Sequence, residues 1–246
     1  MRIIVILMWI LAWQLIGDML LSSGVSNILI ATPYEVILAF ISFLYGSSGL
    51  PDIHTNILLT IYELIFAFGI AASFGLLIGT LIGQFKIIEE SFEPLIVALL
   101  AVPNFVLFPI MFLILSIGPR SDIAFGAYLG FFPIVANTIA GYRQVDTQLV
   151  TFAKSLGTSR FSIFTKVILP SSVGPIVSGL KQGFSLCTIG VVGGEILAPV
   201  SGIGFLLTTS VGFFFTPQLY ALVILTVLIA LAGNAILSLI ERKFSY

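Results

Sequence analysis

Charge is the scarcest commodity in this chain. Only 9% of the 246 residues are Asp, Glu, Lys or Arg, whereas 59% are hydrophobic. A soluble domain carries roughly 25% charged residues, and a chain with this few could not cover its own surface in water. Cysteine is nearly absent, and the single Cys187 excludes an intrachain disulfide or a thiolate metal site. Histidine is as rare: with His54 alone, metal centres and catalytic dyads that need two imidazoles are excluded, and no metal ligand is assigned. The formal net charge of −1 excludes an electrostatic grip on nucleic acid.

What is present is apolar sequence in long runs. A spanning helix needs about 20 mostly apolar residues to cross roughly 30 Å of hydrocarbon. Six stretches qualify, at about 3–21, 57–82, 94–117, 123–140, 176–197 and 219–240. The chain therefore reads as an all-α polytopic membrane protein with six transmembrane helices in one domain, 1–246. Two further runs, 36–44 and 205–215, are too short to cross and read as interfacial or re-entrant pieces. The first run contains Trp9 and Trp13 and is followed by no convincing small-x-small cleavage site, so it is read as an uncleaved span.

Basic residues fix an orientation. With the N-terminus inside, Arg2, Lys86, Arg143, Lys154, Arg160, Lys166, Arg242 and Lys243 share one side, and Lys181 lies just within a span at that end. Only Arg120 falls opposite. The outer segments 22–56 and 198–218 hold no Lys or Arg. This is a positive-inside pattern with both termini cytoplasmic.

One connection is too long and too polar for a bundle turn. Within 142–175, Leu149, Val150, Phe152, Ala153 and Leu156 recur at helical spacing and Gly157 follows as a helix stop. A second short helical pattern starts at Thr158 or Ser159, carries Phe161, Ile163, Phe164, Val167 and Ile168, and is expected to end at Leu169-Pro170. Two amphipathic helices with a glycine hinge either dock a soluble partner or rest on the membrane surface.

The spacing discriminates. Thr151-Phe152-Ala153, Gly157, and, nine residues on, Val167-Ile168-Leu169-Pro170 resemble the cytoplasmic loop of ABC importer permeases, whose pattern is Glu-Ala-Ala, three residues, Gly, nine residues, Ile, any residue, Leu-Pro. Thr151 and Phe152 depart from it. The resemblance narrows to the nitrate/sulfonate/taurine-type permeases through Phe131-Phe132-Pro133-Ile134-Val135-Ala136-Asn137, through Gly193-Gly194-Glu195 with Ser201-Gly202-Ile203-Gly204, and through Pro103 with Pro109 in the third span.

That resemblance implies a type I permease fold with cytoplasmic coupling helices between spans four and five. It implies a multi-pass protein of the cytoplasmic (inner) membrane, surrounded by membrane lipid. Thr151, Phe152, Ala153, Gly157, Arg160, Phe161, Phe164, Val167, Leu169 and Pro170 would form the ATPase-docking surface. The implied partners are a separate cytoplasmic ABC ATPase, an extracytoplasmic solute-binding protein and a second permease copy. No cofactor would be bound by this chain, since ATP and Mg belong to the ATPase. No Gly-x-x-x-x-Gly-Lys-Ser/Thr phosphate loop occurs in it.

Residues within the spans supply pathway candidates. Pro103, Pro109 and Pro133 are expected each to remove an intrahelical hydrogen bond, and in lipid the freed carbonyls must be buried or face water. Pro103 and Pro133, with Asn137 on the matched fourth span, are candidates for the path. Intramembrane charge is costly, which singles out Glu195 as a gate or pathway residue or one that snorkels outward. It also singles out Glu63, where many relatives carry a basic residue. Gly75, Gly79 and Gly83, and Gly190 with Gly194, form small-xxx-small rows that serve helix packing or line a path.

The function this supports is the permease subunit of an importer for a small polar or anionic solute, nitrate/sulfonate/taurine-like or vitamin-precursor-like. It would be a transport subunit and not an enzyme. A stand-alone carrier or the membrane subunit of a vitamin importer is the alternative. An intramembrane enzyme would need a Ser/His, paired-Asp or metal constellation that one histidine cannot provide.

Overall fold

The computed structural model describes residues 2–24, 26, 28–84, 91, 98 and 104–244. Pro103 and nearly all of the first part of the third predicted span lie outside them, as does Lys86. Among the described residues every regular element is helical. In chain order these are α1 (Arg2–Ser22), α2 (Pro33–Tyr45), α3 (Ile53–Gln84), a 3-10 turn (Asn104–Leu107), α4 (Phe108–Leu115), α5 (Pro119–Arg143), α6 (Thr147–Ser155), α7 (Arg160–Ile163), a π turn (Phe164–Ile168), α8 (Leu169–Leu197), α9 (Gly202–Gly212) and α10 (Thr216–Phe244).

Four described stretches are helical, long and apolar enough to cross a membrane: Ile53–Gln84, Pro119–Arg143, Arg160–Leu197 and Thr216–Leu239. Helix α1, with 21 residues, covers the first predicted span. The runs expected to be too short are the helices α2 and α9, of 13 and 11 residues. At about 1.5 Å per residue neither reaches across the hydrocarbon.

The chain forms two compact units. One comprises Met1–Ile61 and Glu195–Ile229. Its core gathers Val36, Ala39 and Phe43 from one face of α2 with Ile203 and Leu206 of α9 and Ala221 and Leu222 of α10. Helix α2 starts with a complete capping box, Thr32 with Glu35, with Pro33 in its first turn, and ends at Gly46 in the left-handed region. The Trp13 indole donates to the Ala31 carbonyl at 3.1 Å and stacks on Tyr220. Trp13 is thus a packing residue, whereas Trp9 is exposed.

The other unit comprises Tyr62–Gly194 and Ala230–Tyr246. Helix α5 lies at its centre because small residues let two neighbours approach it. On one side Gly75, Gly79 and Gly83 of α3 meet Ile134, Thr138 and Tyr142; a Cβ on Gly79 would sit 2.7 Å from Thr138 Cβ. On the other side Gly190 of α8 faces Gly126 so closely that a Cβ would fall 2.6 Å from the Gly126 Cα. Both glycine rows therefore serve close helix packing.

Two expectations are corrected here. The second loop helix does not end at Leu169-Pro170: α7, the π turn and α8 run on as one helix of 38 residues, Arg160–Leu197. In the π turn the Leu169 amide reaches back to the Phe164 carbonyl, a wider register that makes room just where the Pro170 ring would press on the preceding turn. Pro109 removes no interior bond either. It stands in the first turn of α4, where a missing N–H costs nothing.

Candidate functional site

The loop between α5 and α8 is built as two capped helices. Asp146 caps α6, its carboxylate accepting from the Gln148 amide at 2.7 Å. At the far end the Gly157 amide bonds the Lys154 carbonyl at 3.0 Å and the Thr158 amide bonds the Ala153 carbonyl at 3.3 Å. This is a Schellman motif, and it places Gly157 at φ +73. Two residues later Ser159 caps α7, accepting from the Ser162 amide. The glycine between two helical patterns is thus a left-handed turn, and nothing lies within 4 Å of a Cβ added there.

This geometry turns apolar side chains outward. Leu149 and Phe152 of α6 and Leu156 just past its end are exposed, and Phe161 of α7 is 77% exposed. Thr151 and Arg160 are also exposed, and Ala153 partly so. Phe164 and Val167 are half-buried instead, because both belong to the π turn; the Phe164 ring stacks on Tyr142 at 6.3 Å. Leu169 and Pro170 are exposed in the first turn of α8. At the base of the loop Gly141 admits α8, its would-be Cβ lying 3.1 Å from the Ser172 carbonyl oxygen. Between α6 and α7 opens a groove of about 780 Å³.

In the unit that holds it, Glu195 is 1% exposed and does not snorkel. One carboxylate oxygen accepts from the Thr60 hydroxyl at 2.6 Å and the other from the Gly204 amide at 2.7 Å. Thr60 also accepts from the Ile203 amide at 2.8 Å, and Asn56 accepts from the Gly202 amide at 2.7 Å. Three of the amides that begin α9 are thereby satisfied by side chains. Gly202 has φ +88, and a Cβ there would overlap the Glu195 carboxylate.

The described pathway candidates Glu63, Pro133 and Asn137 belong to the other compact unit. Glu63 is fully buried. Pro133 is inside α5 and buried. The Asn137 amide donates to the Pro133 carbonyl at 2.8 Å and to the Gln182 side chain at 3.2 Å. Asp18, near the C-terminal end of α1, accepts from Gln14 one turn earlier, and His54 lies in the first turn of α3 rather than in a loop.

Sequence reasoning missed Asn56, Thr60 and Gln182. The first two are polar residues four apart near the start of α3, and that spacing places them on one face. Gln182 carries no such signal.

Residues 71–246 match the family model described as binding-protein-dependent transport system inner membrane component. The chain is 28% identical, over 231 residues, to a putative aliphatic sulfonates transport permease protein of Bacillus subtilis (strain 168), covering 94% of this chain and 81% of that one. It is 25% identical over 224 residues to the taurine transport system permease protein of Escherichia coli (strain K12), covering 90% and 81%. Over 180 residues it is 27% identical to the formylaminopyrimidine transport permease protein of Halalkalibacterium halodurans, covering 72% of each.

Proposed function

The chain belongs to the binding-protein-dependent transport system inner membrane component family, and from that membership we propose how its parts share the work of an ABC importer. It is the permease subunit, a multi-pass membrane protein that moves a solute across the membrane, and a transport subunit by family. Membership supports the permease subunit over the stand-alone carrier and the intramembrane enzyme. ATP and Mg are held by a separate ATPase subunit and not by this chain. A solute-binding protein delivers the solute on the opposite side, and a second permease copy completes the path.

The observation that carries the docking assignment is the exposed apolar stripe of Leu149, Phe152 and Leu156 beside Phe161, on the capped helix α6 and on the Ser159-capped start of the helix that follows. Exposed apolar side chains clustered on an otherwise polar element mark a protein contact. The concentration of Lys and Arg on this side of the spans supports a cytoplasmic loop and cytoplasmic termini in the inner membrane. The names of the relatives, for sulfonates, taurine and a formylaminopyrimidine, support a small polar or anionic solute. Asn137, Pro133 and Glu63 remain pathway candidates on the spans.

The test is co-purification. Phe152→Asp with Phe161→Asp, on exposed positions, should leave membrane insertion intact and strip the cognate ATPase from the purified permease. If the ATPase stays bound and uptake continues, the docking role is wrong.

A further inference from the structure

The loop has a second face. Opposite the exposed stripe on α6, Thr147, Val150, Thr151 and Lys154 are spaced three and four apart and line the groove of about 780 Å³. Its floor is apolar and aromatic, made by buried Ile163, by Ile168 and by the stacked Tyr142 and Phe164 rings. Its rim carries two cations, Lys154 and Arg160, and no acidic side chain lines it among the described residues. Both cations are exposed, and neither bonds another described residue through its side chain. Gly83 and Tyr142, at the ends of α3 and α5, line the same groove. It therefore begins where two apolar spans stop, the level at which lipid headgroups lie.

We propose that this groove binds an anionic phospholipid of the leaflet on the loop's side, its phosphate between Lys154 and Arg160 and the root of an acyl chain against Tyr142, Phe164 and Ile168. Two cations alone would serve a free anion equally well. The apolar floor selects the lipid, because covering it with an acyl chain removes apolar surface from water. Lys154 precedes Gly157 and Arg160 follows it, so one phosphate held by both bridges the left-handed turn and sets the angle between α6 and α7. The lipid is thereby a structural part of the docking element, outside its partner-facing stripe. The proposal rests on the reading of the loop as a cytoplasmic docking element for the leaflet it addresses.

The experiment is native mass spectrometry of the full chain in detergent, titrated with phosphatidylglycerol, with phosphatidylcholine, and with inorganic phosphate as competitor. Wild type should retain phosphatidylglycerol in preference to phosphatidylcholine. Lys154→Gln with Arg160→Gln should weaken phosphatidylglycerol about 30-fold, taking each cation's usual contribution near a membrane surface, and leave phosphatidylcholine unchanged. Lys154→Arg with Arg160→Lys should keep the preference, and unchanged helical circular dichroism in all variants controls for folding. Equal retention of the two lipids, or undiminished phosphatidylglycerol binding in the double Gln variant, overturns the site. Displacement of the lipid by inorganic phosphate at matching concentration overturns the lipid in favour of a free anion. The Phe152→Asp, Phe161→Asp variant should keep the lipid while losing the ATPase. If it loses neither, the docking reading fails and the lipid site stands.

Discussion

Thr60 gives its hydroxyl proton to Glu195 at 2.6 Å and, on the same oxygen, receives the Ile203 amide at 2.8 Å. With the Gly204 amide on the other carboxylate oxygen, the pair closes the N-terminus of α9. A helix of 11 residues is marginal by itself, and its first turn carries partial positive charge that a carboxylate offsets. The Thr60 hydroxyl and the Gly204 amide at the start of α9 explain how the Glu195 carboxylate is tolerated at 1% exposure.

Glu195→Ala leaves the Gly204 amide and the Thr60 hydroxyl buried without the carboxylate. It should destabilise the protein by about 2–4 kcal/mol. Glu195→Gln should cost less, on the order of 1 kcal/mol. Its carbonyl can still take the Gly204 amide while its NH₂ donates to Thr60, which lies 3.2 Å from the Asn56 carbonyl as an alternative acceptor for its own proton. Thermal unfolding in detergent measures both, and equal losses would refute the capping account.

Gly157 is constrained by conformation, not by space, since nothing crowds a Cβ there. Gly157→Val should therefore strain the turn by about 1–2 kcal/mol and reduce ATPase co-purification and uptake with insertion intact. Gly157→Asn, which tolerates the left-handed region, should retain most of both. A Val variant that transports at the wild-type rate contradicts this.

The glycine rows predict the opposite logic. Gly79→Ala pushes a methyl to 2.7 Å from Thr138 Cβ and 3.1 Å from the Val135 carbonyl oxygen, and should cost about 1–3 kcal/mol by overpacking. Gly69→Ala, on the same helix with nothing within 4 Å, should be neutral or stabilising by about 0.5–1 kcal/mol. Paired unfolding titrations in SDS compare them directly.

Lys181 and Glu241 form an ion pair at 2.5 Å, with side chains 27% and 31% exposed. Such partly solvated pairs contribute up to about 1 kcal/mol. Lys181→Gln should lower the unfolding midpoint slightly, with a smaller effect at high salt. The exchange Lys181→Glu with Glu241→Lys should recover it, which a double-mutant cycle reads out.

The long described helices were legible because 20-residue apolar runs admit little else in a membrane, and the 13- and 11-residue helices α2 and α9 were legible as too short to cross. The turn at Gly157 was legible from apolar periodicity on either side of one glycine. The continuation through Pro170 was not. Proline ordinarily stops a helix, and the π turn that accommodates it at Phe164–Ile168 has no composition of its own. The Glu195 cluster was half-legible: an intramembrane acid stands out, but its partner Thr60, and Asn56 on the Gly202 amide, lie more than a hundred residues away in the chain.

The unbroken helix from Arg160 to Leu197 makes the loop mechanically one-sided. On the entering side α6 is joined to its neighbours by short non-helical links, before Asp146 and around Gly157. On the leaving side no such link exists before a rod about 57 Å long at the usual rise. A partner seated on Phe152 and Phe161 would therefore meet α6 between two non-helical links and α7 continuous with a membrane span. Twist applied at α7 would meet no non-helical link along α8, whereas twist applied at α6 would meet one on either side.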